Sequence, residues 1–69
     1  MHTHHYEITI RGRLSAALIG AFDGLTATPR AANTVISGEI RDQSALYGVL
    51  ERIDALGLEL LRVRTTPAR

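Results

Sequence analysis

Four short stretches of the chain have the alternation or the composition typical of β-strands. In the first, apolar Tyr6, Ile8 and Ile10 alternate with polar residues up to residue 11, which predicts a strand with one buried face. Residues 34–40, rich in β-branched side chains, predict another strand, and residues 60–64 predict the last. Residues 25–28 predict a weaker strand that Pro29 closes before a turn at residues 30–33. Because proline cannot donate to a hydrogen-bond ladder, we expect this strand at an edge of the sheet.

Two stretches between these strands have apolar residues at helical spacing. Ser15 is a suitable N-cap for a first helix of about two turns, which Gly24 would end. Asp42 is a suitable N-cap for a second, longer helix, and Gly57 would end it, with Leu58 folding back on its last turn. The apolar stripe of this second helix has six members: Ala45, Leu46, Val49, Leu50, Ile53 and Leu56.

The order of these elements is strand, helix, strand, strand, helix, strand, which is the signature of the split βαβ, or ferredoxin-like, fold. We therefore predict an α+β domain with a four-stranded antiparallel sheet, in which the first and third strands are central and the fourth and second flank them. Right-handed crossovers would place both helices on one face of the sheet. The predicted domain spans residues 6–64, between a flexible, histidine-containing tail at residues 1–5 and a frayed tail at residues 65–69.

Residues 16–22 and 44–50 have similar sequences, as the two related halves of this fold lead us to expect. Gly20 and Gly48 lie at matching positions in the two repeats. A glycine inside a helix costs about 1 kcal/mol relative to alanine. We therefore expect each glycine to allow a close approach to the other helix or to the sheet, so that Gly48→Ala would destabilise the domain.

The composition is that of an ordinary globular domain rather than of a disordered or membrane-spanning chain. Of the 69 residues, 45% are hydrophobic and 22% are charged, and the formal net charge is +1, too small to draw the chain to nucleic acid or anionic lipid. All eight basic residues are arginines, scattered among seven acids, which we interpret as the coding bias of a GC-rich genome. Without cysteine the chain has no disulfide, thiolate zinc site or cysteine nucleophile. The N-terminus lacks the apolar stretch of a signal peptide, so we expect a cytoplasmic protein with no membrane association.

The sequence offers little for metal binding or catalysis, and we predict no cofactor and no catalytic residue. His2 and His4, two apart on an extended chain, could share a metal ion, but no further ligand is placed to complete the site. We therefore interpret the histidines as part of a solvated tail. The chain contains no other histidine that could activate a serine nucleophile. Glu7 and Glu39, on neighbouring central strands, could form an acid/base pair, although ion pairs with nearby arginines are the interpretation we favour.

The side of the predicted sheet without helices, called the open face below, is the remaining candidate for function. The central strands place six residues there: Glu7, Thr9, Arg11, Val35, Ser37 and Glu39. RNA-binding domains of this architecture stack bases on aromatic side chains at such positions. Because none of the six is aromatic, we predict that nucleic acid is not a partner.

The register of the fourth strand has two interpretations. In the first, Leu60, Arg62 and Arg64 lie on the open face and the residues between them face the helices; the second reverses these positions. We prefer the first, because it keeps both arginines in water and sets Arg62 near Glu7. Either register leaves apolar side chains beside Val35 on the open face.

The small size of the domain favours self-association. A chain of this length buries only about 60% of the surface that its unfolded form exposes. Covering a partly apolar sheet face would add stability, and a closed twofold dimer is the commonest way to cover one. We therefore predict a homodimer that packs through its open face. The alternative is a monomer with scattered exposed apolar residues, which are normal on protein surfaces.

Residues 43–60, QSALYGVLERIDALGLEL, together with residues 10–14, IRGRL, resemble short proteins of unknown function from GC-rich actinobacteria. The resemblance covers most of the chain and implies a stand-alone ferredoxin-like protein, with no catalytic residue to transfer. The architecture is also similar to ACT-type regulatory domains, which bind small ligands, often amino acids, at subunit interfaces near the loop after the first strand. In this chain that loop contains Gly12 and Arg13, which are therefore the candidate ligand-binding residues.

Three functions fit these observations. The one we favour is a non-enzymatic dimeric module that binds another protein or regulates an enzyme. The second is an ACT-like sensor of a small ligand. The third is a small enzyme with a site at the dimer interface, built from Glu7, Glu39 or Arg11 of two chains, although acids and arginines without a buried base define no reaction.

Overall fold

The computed structural model describes residues 4–67, with side chains for residues 4–65, and contains four strands and two helices. In chain order they are β1 (His4–Ile10), α1 (Ala16–Ile19), β2 (Thr26–Arg30), β3 (Asn33–Ile40), α2 (Gln43–Ala55) and β4 (Leu60–Pro67). The strands form one antiparallel sheet in the order β2-β3-β1-β4. The predicted α+β ferredoxin-like arrangement is confirmed, with β1 and β3 central and β2, which contains Pro29, at an edge.

One face of the sheet packs against α2 and against the segments that flank α1, and this packing forms the core. On this face Ile8 of β1 lies opposite Ile36 of β3 and Val63 of β4. The buried apolar cluster comes from β1, from β3, from the loop after α1 and from α2: Ile8, Ile10, Phe22, Ile36, Ile40 and Ile53. Leu14, Leu25 and Leu46 pack against this cluster from both crossover segments, so the two helices lie on the same face of the sheet.

Three of the four predicted helix ends, at Ser15, Asp42 and Gly57, are confirmed by hydrogen bonds, whereas the first helix ends before the predicted Gly24. The Ser15 hydroxyl accepts from the Leu18 N–H at 3.3 Å, and the Asp42 carboxylate accepts from the Ala45 N–H at 2.8 Å. At the end of α2, Gly57 has a positive φ of 73°, and the next residue, Leu58, donates its N–H to the Ile53 carbonyl at 3.1 Å. These bonds satisfy backbone groups that each helix end would otherwise leave without a partner.

The first helix is shorter than the predicted two turns. It has four residues, with Gly20 as its C-cap. Beyond it the Ala21 and Phe22 N–H groups donate to the carbonyls of Leu18 and Ile19, three residues earlier, at 3.1 and 3.0 Å. The chain therefore tightens into a narrower turn after one turn of α-helix.

The expectation of a close approach at Gly20 and Gly48 is wrong. A Cβ atom at Gly48 would meet no atom within 4 Å, and one at Gly20 would lie 3.5 Å from the Ala17 carbonyl oxygen, an ordinary contact. The close approach is in the sheet instead, where a Cβ atom at Gly38 would lie 2.7 Å from Cδ2 of Leu25. Glycine is needed where β3 passes under the segment that leads into β2.

The central sheet extends beyond the predicted domain limits of residues 6 and 64. His4 and His5 pair with Ile40 and Glu39 of β3, and also with the last two residues of β4. Residues 4–5 and 65–67 are therefore strand, because the ends of three neighbouring strands pair with one another. The apolar stripe of α2 is narrower than predicted, since Ala45 and Leu56 are exposed, and Ile53 is its buried member.

Candidate protein-interaction surfaces

The strand register arranges the open face in rows of mostly polar side chains. In one row Thr28, Val35, Thr9 and Arg62 lie opposite one another across the four strands, and in the next Thr26, Ser37, Glu7 and Arg64 do so. The register therefore places six of the predicted open-face residues on this face: Glu7, Thr9, Val35, Ser37, Glu39 and Arg62. Both β4 arginines lie on this face, as in the preferred register.

Val35 does not provide the exposed apolar patch that the sequence led us to expect. It lies on the open face, between Thr9 of β1 and Thr28 of β2, and only 5% of it is exposed. A valine at the centre of a sheet is screened by neighbours on both adjacent strands, whose identity depends on the register. The expectation that Val35 is exposed is therefore wrong, and the open face presents polar side chains to solvent.

The acidic residues of the open face have other neighbours than predicted. Glu7 faces Arg64 rather than Arg62, with 3.9 Å between Glu7 Oε1 and the Arg64 guanidinium nitrogen. Arg62 lies opposite uncharged Thr9. Glu39 is exposed and lies opposite His5. The Glu7–Arg64 pair is itself half-exposed, so it contributes little stability.

Arg11 and Leu60 lie at the end of the sheet, not in the rows of the open face. The Arg11 guanidinium donates to the Glu59 carboxylate at 2.8 Å, and the Arg11 N–H donates to the Glu59 carbonyl at 3.0 Å. The pairing of β1 with β4 shifts between Thr9 and Ile10, so that Leu60 lies opposite Ile10. This irregularity breaks the alternation that would have set Leu60 beside Arg62.

The candidate ligand loop is tied to the β2–β3 hairpin. The Gly12 N–H donates to the Asn33 side-chain oxygen at 3.3 Å, and the Gly12 carbonyl accepts from the Thr34 hydroxyl at 2.8 Å. Arg13 donates to the Ala31 carbonyl at 3.2 Å. The polar groups that a small ligand would use are therefore engaged within the chain, and residues 4–67 form no pocket around them.

Of the two histidines proposed to share a metal, His2 lies outside the described residues. His4 belongs to β1 and stacks edge-to-face with Tyr6, with 6.4 Å between the ring centroids. Across residues 4–67 no group of three potential ligands lies close enough to hold a metal ion. The histidine cluster thus gives no metal geometry within that part of the chain.

Three apolar residues of β4 are exposed, and two of them, Leu61 and Val63, faced the helices in the preferred register. Leu61 and Val63 are each 39% exposed and Leu60 is 42% exposed, although Val63 lies on the helix side of the sheet, opposite Ile8. The helices have only 4 and 13 residues, and α2 lies nearest to β3, which leaves β4 largely uncovered. Because the sequence predicts a longer first helix, it contains no signal for this exposure.

The same strand is an edge of the sheet. β4 pairs with β1 on one side, and no strand of residues 4–67 pairs with its other side. Along an antiparallel edge every second residue directs its N–H and C=O outward. We call Leu60, Leu61, Arg62, Val63 and Arg64, with the outward backbone groups of β4, the β4 surface.

A family model described as a domain of unknown function, DUF8691, matches residues 5–64. The chain belongs to this family. The DUF8691 match runs from β1 into β4, so both the open face and the β4 surface lie within it. Comparison with curated proteins and with solved structures finds no match.

The family description states no function, so no residue role transfers from it to this chain. The actinobacterial origin and the cytoplasmic location stay predictions. Within residues 4–67 no helix is long and apolar enough to cross a membrane.

Proposed function

We propose that this protein is a small non-enzymatic protein-interaction module whose contact surface is the β4 surface. The observation that supports this proposal is the combination of half-exposed Leu61 and Val63 with an unpaired strand edge over the described residues. Burial of apolar side chains against a partner stabilises the complex by about 25 cal/mol per Å² of apolar area removed from water. Outward backbone groups add directional hydrogen bonds to the same contact.

The arrangement of the charged residues supports binding rather than catalysis. Arg11 is held by Glu59, and Glu7 faces Arg64, so two of the three residues considered for an interfacial enzyme have partners within one chain. Both pairs are exposed to solvent, and no enclosed site surrounds them within residues 4–67. An enzyme is therefore the least supported of the three functions.

The ACT-like sensor is supported less than the interaction module. Its ligand would sit at the loop after β1, where Gly12 and Arg13 already bond to Asn33, Thr34 and Ala31. A ligand would have to displace these bonds before it gained its own. A melting temperature raised by amino acids or nucleotides would favour the sensor. An unchanged melting temperature with both classes would exclude a sensor of amino acids or nucleotides.

Self-association through the open face is a second, separate proposal. Its support is the small size of the side chains at the centre of that face, where Thr9, Thr28 and Ser37 surround Val35. Because Val35 is already buried, two open faces would cover little new apolar area. Light scattering from the eluting protein over a wide concentration range tests this: a dimer that survives dilution and is lost in Thr9→Arg supports it, and a monomer at all concentrations excludes it.

The interaction module is tested by comparing the proteins that co-purify with matched variants from the native host. Leu61→Thr with Val63→Thr removes two of the three apolar side chains of the β4 surface and places β-branched residues at both positions of the strand. Tyr47→Gln, on α2, is the control, because Tyr47 is 58% exposed and lies outside the β4 surface. We expect a stoichiometric partner with the wild type and the control but not with the double variant. Absence of any partner, or its retention by the double variant, would reject the proposal.

A further inference from the structure

We propose that the outer edge of β4 binds an extended partner segment as a fifth strand, and that this segment alternates acidic with apolar residues. The inference rests on the proposed interaction function and specifies its class of partner. It follows from three properties of the edge: its length without an internal proline, the side chains on its two faces, and its charge.

The two edges of the sheet differ in their capacity to pair. β2 has five residues and contains Pro29, which lacks an N–H and so interrupts a further ladder. β4 has eight residues, and its proline is the last of them, Pro67. A short strand with proline is a protected edge, whereas a long one without an internal proline can accept another strand. The β4 edge is therefore the one available for a partner.

The two faces of β4 differ in chemistry. On the helix side Val63 is half-exposed beside buried Ile8, so a residue added next to it would extend the core outward. On the open face Arg62 and Arg64 are exposed. Side chains directly opposite each other on neighbouring strands interact most strongly, and opposite charges there are favourable. A strand that pairs with β4 thus gains from apolar residues on one face and carboxylates on the other.

Both arginines have capacity for a further carboxylate. Arg62 lies opposite Thr9, which has no charge. The Arg64 guanidinium is 3.9 Å from Glu7, and one such contact leaves most of its five N–H donors available. Arginine binds carboxylates through two parallel hydrogen bonds, which favours acidic residues over other polar ones.

A second copy of β4 is the less favourable occupant. Two antiparallel registers pair seven of the eight β4 residues with side chains on matching faces, and in them Arg62 lies opposite Arg64 or Arg64 lies opposite Arg64 of the other copy. Like charges directly opposite each other destabilise a strand pair. The arginines that attract an acidic segment therefore also oppose pairing of β4 with itself.

Synthetic strands of defined charge test the inference with the folded wild-type chain. One capped peptide alternates glutamate with valine, and its charge-reversed control alternates lysine with valine. Amide hydrogen exchange, read residue by residue by NMR, reports where each peptide binds, and a titration gives its Kd. We expect the acidic peptide to protect β4 amides but not β2 amides, and to bind about tenfold more tightly than the lysine peptide.

Charge-reversal variants link this preference to the two arginines. Arg62→Glu with Arg64→Glu should reverse the preference, whereas Arg30→Glu with Arg41→Glu, which changes the net charge equally at other positions, should retain most of it. Arg62→Glu alone leaves the Glu7–Arg64 pair intact and should lower the preference by about threefold, which keeps the test valid if the double variant does not fold.

Three results would overturn the inference: no binding by either peptide, equal binding by both, or β4 protection that rises with protein concentration alone. The last would assign the edge to a second copy. If a native partner still depends on Leu61 and Val63 while no acidic peptide binds, the inference fails and the interaction function stands. If no acidic peptide binds and recovery of the partner does not depend on Leu61 and Val63, both the inference and the proposed function are rejected.

Discussion

Val63 lies directly opposite Ile8 on the helix side of the sheet, yet Ile8 is fully buried and Val63 is 39% exposed. The boundary of the hydrophobic core therefore falls between β1 and β4. Ile8 has strands on both sides and the helical layer above it, whereas Val63 has β1 on one side and solvent on the other. This unequal burial separates the residues that stabilise the fold from those available for binding.

Substitutions at these two neighbours should have unequal effects on stability. Ile8→Ala should lower the free energy of unfolding by about 2–5 kcal/mol, since it leaves a cavity in the core. Val63→Thr, which keeps the shape and the β-propensity of the side chain, should lower it by less than about 1 kcal/mol. Urea unfolding of both variants measures the difference. Equal losses would place β4 inside the core and contradict the account.

Gly48 should be a site of stabilising substitution. A Cβ atom there meets no neighbour within 4 Å, so alanine adds helix propensity at no steric cost. We expect Gly48→Ala to raise the free energy of unfolding by about 1 kcal/mol. A melting curve compared with that of the wild type is sufficient. A lower melting temperature would show that Gly48 is needed for a contact between molecules.

Gly38 should behave in the opposite way. Alanine there would bring its Cβ to within 2.7 Å of Leu25 Cδ2 unless the leucine moved. We expect Gly38→Ala to cost about 1–3 kcal/mol, as for other overpacked cores. In a Leu25→Ala background the same substitution should cost less, because the clashing methyl is gone. A double-mutant cycle in urea provides the comparison, and additive effects would argue against the contact.

The turn between β2 and β3 contains a strained residue. Ala31 has a φ of 54°, a conformation that costs a residue with a Cβ about 1 kcal/mol or more and that glycine adopts freely. We predict that Ala31→Gly stabilises the domain by about 0.5–1 kcal/mol. Ala32→Gly is the matched control: Ala32 has no positive φ, so glycine there should be neutral or destabilising. Stabilisation by the control alone would contradict this explanation.

The local features of the fold follow from the sequence because they depend on residues close together in the chain. Ser15, Asp42 and Gly57 define helix ends through bonds to residues three to five positions away. The order of strands and helices then selects the topology, since handedness permits few alternatives. Pro29 correctly marked an edge strand.

The surfaces depended on information that the sequence alone does not contain. Val35 is buried because Thr9 and Thr28 flank it, and Leu60 leaves the open face because the β1–β4 pairing shifts. Both effects arise from the registers of strands distant in the chain. The exposure of Leu61 and Val63 likewise depends on how far the helical layer extends over the sheet.

The most direct test of the account is the recovery of a native partner with the Leu61→Thr, Val63→Thr variant relative to the wild type and to Tyr47→Gln. With all three proteins folded and equally abundant, we expect recovery to fall at least tenfold for the double variant and to be unchanged for the control. Equal recovery with all three proteins would place the binding surface elsewhere and contradict the account.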